Sequence, residues 1–222
     1  GHQLVIAEHG AMSLHIALDR AAVSAACESA LGGDGLEAAT HLHQRGQQVR
    51  VVLWQPSATR PLDAAQALSK VKALGISIQA TLPAQGDVSP HDLCMDAMLG
   101  IGLRSSTTED DAQALHSWIH SIYQFGADVL AVDTPSGLNA NTGQFQTSGV
   151  GVHRHATHTL QLLTAKPGCF TALGRDACGT LWLDTLGCDD LLASMPAAAQ
   201  LNFKSTVIHR TDVSCFRLYT HR

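Results

Sequence analysis

Two hydrophobic periods alternate along this chain: short β-rich apolar runs, and stretches whose apolar residues fall three and four apart. QVRVVLW, from Gln48, is an apolar run of the first kind. It follows a helical pattern over Gly35–Gln44 that Gly46 is placed to stop. PLDAAQALSKVKALG opens on a proline suited to a first helical turn, ends at Gly75 and passes into ISIQA, another short strand. LCMDAMLGIG reads as an apolar strand interrupted by Asp96, and after the polar RSSTTEDD a helix is expected from about Asp110 to Phe125. ADVLAVDTPSG then forms a buried strand that ends on a carboxylate, Asp133. At the N-terminal side, Ala11–Ser29 carries Met12, His15, Ile16 and Val23 broadly on one side and reads as a helix, which LGGDG interrupts.

Strands alternating with helices of a dozen or so residues imply βαβ crossovers and a mostly parallel sheet with helices on both faces, an α/β fold. After Gly143 the long helices stop, and THTLQLL and GTLWLD read as strands that extend the sheet. From Ala197 onward no periodicity survives. The chain of 222 residues suits one domain, with a core over about 11–195 and a peripheral tail or linker over 196–222.

Composition changes this picture little. The apolar fraction of 45%, charged fraction of 15% and net charge of −5 are those of an ordinary soluble protein and leave no electrostatic footprint for nucleic acid. No apolar run is long enough to span a membrane, and no basic segment leads into an apolar one, so the cytoplasm is the expected compartment. Cys27, Cys94, Cys169, Cys178, Cys188 and Cys215 are scattered without a CxxC pair and are read as reduced, mostly buried thiols. His153, His155 and His158 resemble a metal cluster at first sight, but no acid or thiol lies beside them and the spacing matches no zinc signature, so a solvated strand edge is expected.

Three segments place glycine beside a carboxylate near a strand or helix end: GGDG at Gly32–Gly35, DAMLGIGLR at Asp96–Arg104 and VDTPSG at Val132–Gly137. Glycines let the backbone approach a phosphate, and a helix start offers unpaired N–H groups to an anion. Each segment alone is a weak signal, because neither GxGxxG nor GxxxxGK[ST] is complete. An acid ending a buried strand has two readings: a turn cap, or ligand chemistry at the carboxyl edge of a parallel sheet.

In that order along a βαβ chain, GGDGLEAATHL, MDAMLGIGLR, VLAVDTPSGLNANTG and AKPGCFTALGRDACGTLWLDTLG resemble the YjeF N-terminal domain family, whose enzymatic members are NAD(P)H-hydrate epimerases. The resemblance runs from about Gly32 to Gly187, and VDxPSGLxAxTG is its most specific part. It implies a three-layer αβα Rossmann-like fold and a hydrated nicotinamide nucleotide, NADHX or NADPHX, as substrate. Carried over by position, Gly32, Gly33 and Asp34 end a substrate-contacting loop. Gly100, Ile101, Gly102, Leu103, Arg104, Ser105 and Ser106 form the phosphate-binding segment. By the same resemblance Asp96 and Ser136 match positions that hold a potassium ion in the family, Asp133 matches the acid at the substrate, and Arg104 stands where some relatives have a lysine implicated in catalysis. One carboxylate among neutral oxygens suits such an ion better than Mg²⁺.

The chain departs from the family before GGDG, where relatives have a strand and CGPGNN and this sequence reads CESAL. Either the loop is lost or residues between the N-terminal helix and Leu31 are omitted. Omission is favoured, because a parallel sheet lacking a central strand would leave buried backbone groups unpaired. An asparagine from that loop would complete the ion site. The end at SCFRLYTHR suggests the front part of a two-domain polypeptide, with a dehydratase following.

The substrate so implied is a hemiaminal. Inverting its hydroxyl-bearing carbon needs an acid for departure and a base for the returning water, and a single carboxyl, Asp133, is expected to do both. A rival from another class is a non-catalytic scaffold or nucleotide- or RNA-binding domain of the same fold; the intact acids at Asp96 and Asp133 and the lack of basic stretches argue against it. A dehydrogenase using NAD as cofactor is weaker still, since the dinucleotide fingerprint is missing. The sequence leaves the oligomeric state open, a homo-oligomer included.

Overall fold

The computed structural model describes residues 13–18, 31–54, 62–99, 109–145, 155–186, 188 and 216–218. Among these residues eight strands form one sheet: β1 (Ser13–Leu18), β2 (Gln48–Leu53), β3 (Ser77–Gln79), β4 (Leu93–Ala97), β5 (Asp128–Val132), β6 (His158–Leu162), β7 (Thr180–Asp184) and β8 (Phe216–Leu218). Their order is β3-β2-β1-β4-β5-β6-β7-β8, with every neighbour parallel except β8, which runs antiparallel to β7. Helices α1 (Leu31–Gln44), α2 (Leu62–Ala73), α3 (Glu109–Ile122) and the short α4 (Gly174–Ala177), with two single 3-10 turns at Gln85–Asp87 and Pro167–Phe170, complete the described elements.

Strand period sorts side chains between two cores. Leu93, Met95 and Ala97 of β4 and Leu130 and Val132 of β5 pack with Leu36 and Ala39 of α1 and Leu68 and Val71 of α2. On the opposite face Cys94 and Val129 pack with Leu115, Ile119 and Ile122 of α3. This is the expected three-layer αβα arrangement, and the expected strands THTLQLL and GTLWLD do extend the sheet as β6 and β7.

Two expectations are corrected. Ser13–Leu18 is a strand, not part of a helix: SLHIAL is held in register on both sides, Ile16 opposite Val51 and Met95. A two-sided parallel ladder overrides the coincidental helical spacing of Met12, His15 and Ile16. With the central strand present, the reason for inferring omitted residues falls away; CESAL itself lies outside the described residues. The helix after it also begins earlier than Gly35, at Leu31, so GGDG is its first turn rather than a loop before it.

From β1 the chain moves outward through β2 and β3, then returns to the other side of β1 at β4 and continues to β7. The reversal between β1 and β4 is a topological switch point, where open α/β sheets leave a crevice at the strands' carboxyl ends. Asp96 in β4 and Asp133 just after β5 both lie at that edge.

Candidate active site

Strand alternation turns Asp96 to the α3 side of β4, where it is fully buried. Its Oδ2 accepts the Ser136 amide at 2.9 Å and the Tyr123 hydroxyl, and its Oδ1 lies 2.5 Å from Ser136 Oγ. Ser136 Oγ in turn accepts the Leu99 amide at 2.9 Å and stands 3.5 Å from the Leu99 carbonyl. The TPSG turn after β5 is thereby tied to the end of β4. Among the described residues no cationic side chain pairs with Asp96, and three hydrogen bonds, from Ser136 N–H, Ser136 Oγ and the Tyr123 hydroxyl, offset the cost of burying this carboxylate.

Asp133 is built differently. It is buried, and its φ of 67° puts a non-glycine residue in the left-handed region. A three-residue turn closes around it through Thr134 N–H to the Val132 carbonyl at 2.8 Å, while its own N–H continues the ladder to Leu160 at 2.7 Å. Positive φ in a γ-type turn is strained, and such strain persists where surrounding structure enforces it. Here the enforcement comes from β6 and the segment after it. Leu162 N–H donates to Asp133 Oδ1 at 3.1 Å, and the Lys166 ammonium contacts the same oxygen with both side chains buried. Lys166 Nζ also donates to the Leu162 carbonyl at 2.5 Å, and its backbone N–H to Gln161 Oε1 at 2.6 Å.

Lys166 sits in AKPG, where backbone segments approach too closely for any side chain. A Cβ on Gly168 would lie 2.2 Å from the Asn139 carbonyl oxygen, and one on Gly174 1.8 Å from the Gly168 carbonyl oxygen. The glycines of NANTG, KPG and LGRD are thus spacing requirements that lock the Lys166 turn against the loop after Asp133.

Asp34, in the first turn of α1, is pushed up to about 6, first by burial, then by repulsion from Asp133 and from Glu37. Asp34, Asp133 and Lys166 therefore share one electrostatic neighbourhood, with Asp96 and Ser136 linked to it through the β5 turn. Gly32 and Gly33 open the same helix. Gly100 to Ser106, Arg104 included, lie outside the described residues, as does His153. His155 Nδ1 is 2.8 Å from the Asp176 carbonyl and His158 accepts the Trp182 indole N–H at 3.3 Å, so these two serve packing at the start of β6. Among the described residues no group of three or more His, Cys, Asp or Glu could hold a metal, and no helix is long and apolar enough to cross a membrane.

Two residues of this neighbourhood were not singled out from the sequence. Lys166 had a signal: a lone charge between an apolar strand and a Pro-Gly turn. Tyr123 had none, since an aromatic at a helix end reads as core.

Comparison with known proteins agrees with this arrangement. Residues 18–168 match the family described as YjeF-related protein N-terminus. The chain is 38% identical over 157 residues to an NAD(P)H-hydrate epimerase of Achromobacter xylosoxidans, covering 70% of each chain. It is 35% identical over 172 residues to the bifunctional NAD(P)H-hydrate repair enzyme Nnr of Escherichia coli, covering 76% of this chain but only 31% of that protein. The crystal structure of yeast ynu0 superposes with a TM-score of 0.65 over 94% of this chain and 78% of that one, at 14% identity, a likeness of fold. The chain belongs to the YjeF-related protein N-terminal family.

Proposed function

We propose that this chain interconverts the R and S forms of hydrated NADH and NADPH, as an isomerase of nicotinamide nucleotide repair. The observation that carries the reading is the buried, strained Asp133 held by Lys166 at the carboxyl edge of the sheet, within a family whose relatives include a named NAD(P)H-hydrate epimerase. Residues 1–222 act in this reading as one epimerase-like unit.

The chemistry follows from the hemiaminal. As the hydroxyl departs, the ring nitrogen lone pair enters the ring and the ring becomes cationic. A carboxylate nearby stabilises that charge and takes a proton from the water that returns. The Lys166 ammonium and the Leu162 N–H, both on Oδ1, aim Asp133 for this, in a setting where water is scarce and charges interact strongly. The N–H groups that open α1, at Gly32 and Gly33, together with Gly100–Ser106 and Arg104, bind the diphosphate.

Asp96, Ser136 and the Leu99 carbonyl fit a potassium ion. They offer one carboxylate and neutral oxygens gathered around Ser136 Oγ, and the buried Asp96 lacks a cationic side-chain partner among the described residues. An ion there would compensate Asp96 and brace the β4 end against the Ser136 turn.

Chromatography of the two epimers tests the function. A single purified epimer of hydrated NADH should equilibrate faster with the protein than without it; equal rates would overturn the reading.

A further inference from the structure

β6 ends on the same kind of turn as β5. Asp133 N–H bonds the Leu160 carbonyl and Thr134 N–H returns to the Val132 carbonyl; one strand on, Leu163 N–H bonds the Asp184 carbonyl of β7 at 2.7 Å and Thr164 N–H returns to the Leu162 carbonyl at 2.7 Å. The apex residue is left-handed in both turns, with φ of 67° at Asp133 and 63° at Leu163. Glycine takes this conformation freely, whereas a leucine resists it. Leu163 is also 42% exposed, so burial in a core does little to offset the strain. An exposed leucine alone is ordinary, but backbone strain of this kind gathers at ligand sites.

The neighbours of Leu163 connect it to the site. Leu162, the residue before it, donates its N–H to Asp133 Oδ1 at 3.1 Å and accepts the Lys166 ammonium on its carbonyl at 2.5 Å. Leu163 is therefore bonded directly to the residue that braces Asp133, at the carboxyl edge of the sheet. A glycine at the apex would make the same turn without strain; a leucine adds apolar surface beside the carboxylate. The substrate has a matching feature. Hydration of one ring double bond leaves a saturated methylene next to the hydroxyl-bearing carbon, so the uncharged ring carries an apolar stretch beside the reacting centre.

We propose that Leu163 is a substrate-binding residue, whose side chain forms the apolar wall against which the hydrated nicotinamide ring rests with its hydroxyl-bearing carbon beside Asp133. The proposal rests on the epimerase reading. Ring and leucine leave water together in this contact, which is its driving force. Leu186 supplies an internal control. It too is left-handed, with φ of 53°, and 51% exposed, and its N–H is held at 2.8 Å by Oδ1 of Asp184, the residue whose carbonyl holds Leu163. Yet it follows β7, one strand further from Asp133, so it shares the strain without the place.

The test measures kcat and KM for one purified epimer of hydrated NADH, and inhibition by ADP-ribose, which carries the diphosphate but no nicotinamide ring, in the wild-type protein, Leu163→Gly, Leu163→Asn and Leu186→Gly. Glycine and asparagine both accept a left-handed φ, so the turn and the brace on Asp133 should persist and kcat should stay within about threefold of wild type. KM should rise at least about tenfold in both Leu163 variants, as expected when an apolar contact made equally in ground and transition states is lost. ADP-ribose inhibition, and KM in Leu186→Gly, should stay within about threefold of wild type. An unchanged KM in the Leu163 variants, with or without a fall in kcat, overturns the wall and leaves Leu163 only the aiming of Leu162. An equal weakening of ADP-ribose inhibition, or an equal rise of KM in Leu186→Gly, overturns it as well, because the effect would then not belong to the ring. A wild-type protein without epimerase activity overturns the function and the wall together.

Discussion

Lys166 and Asp133 meet through Nζ and Oδ1 with only 8% and 6% of their side-chain surfaces exposed, so each is the other's main means of keeping a charge in a nearly dry place. Removing one partner is therefore expected to cost more than removing both. Lys166→Met should destabilise the protein by about 3–5 kcal/mol, because Asp133 is left as an uncompensated buried charge. The double variant Lys166→Met, Asp133→Asn should recover part of that loss. Denaturant unfolding of the two singles and the double measures this coupling, and strictly additive losses would show that the contact carries no energy.

Tyr123 is the corresponding support for Asp96. Its hydroxyl donates to a fully buried carboxylate, and hydrogen bonds to charged groups contribute about 1.5–3 kcal/mol. Tyr123→Phe keeps the ring in the α3 core and should lose about that much in denaturant unfolding. An unchanged midpoint would mean that Asp96 finds an equal partner elsewhere.

Potassium binding at Asp96 and Ser136 predicts an ion-specific stability. The wild-type melting temperature should be higher in potassium chloride than in tetramethylammonium chloride at equal ionic strength, by mass action on the folded state. Asp96→Asn should erase the difference. The same melting temperature for wild-type protein in both salts would contradict the site.

Asp34 gives stability a pH dependence of defined sign. Its carboxyl is raised from 3.8 to about 6 in the folded protein, so between those values the folded state binds the extra proton. Its contribution is fully favourable below the unfolded value and is lost as pH rises towards 6. Melting temperatures across this window should fall more with rising pH in the wild-type protein than in Asp34→Asn. Parallel curves would place Asp34 in contact with solvent.

Most of the fold was legible because parallel strands and their crossover helices carry contrasting periods: QVRVVL, LCMDA and DVLAV each became a strand where expected. The exception, SLHIAL, is short and rich in residues that fit either element, and its strand state comes from two neighbours distant in sequence. The site was half legible. Asp34, Asp96, Asp133 and Ser136 stood out beside glycines and turns, but their roles depend on partners that only folding supplies. Nothing in VDTPSG announces that the carboxylate will meet a lysine from the turn after the next strand, nor that Tyr123 will cap Asp96.

The glycines around that lysine turn give a further expectation. Gly168→Ala places a methyl group 2.2 Å from the Asn139 carbonyl oxygen and 2.7 Å from the Ala140 carbonyl carbon, backbone atoms that cannot swing aside. Overpacking of this kind costs about 1–3 kcal/mol. Since Gly168 lies two residues from Lys166, epimerisation should drop with stability, whereas an unaltered unfolding midpoint would show that the turn is free to relax.

The most direct measurement is the rate at which one purified epimer of hydrated NADH becomes the equilibrium mixture, compared between the wild-type protein and folded Asp133→Asn at the same concentration. The substitution keeps the shape of the side chain and removes its capacity as a base, so the wild-type protein should accelerate the conversion and the variant should fall at least about a hundredfold below it while still binding the substrate. Equal rates for the two proteins, or no acceleration by the wild-type protein over buffer, would contradict the assignment of this crevice as an epimerase site.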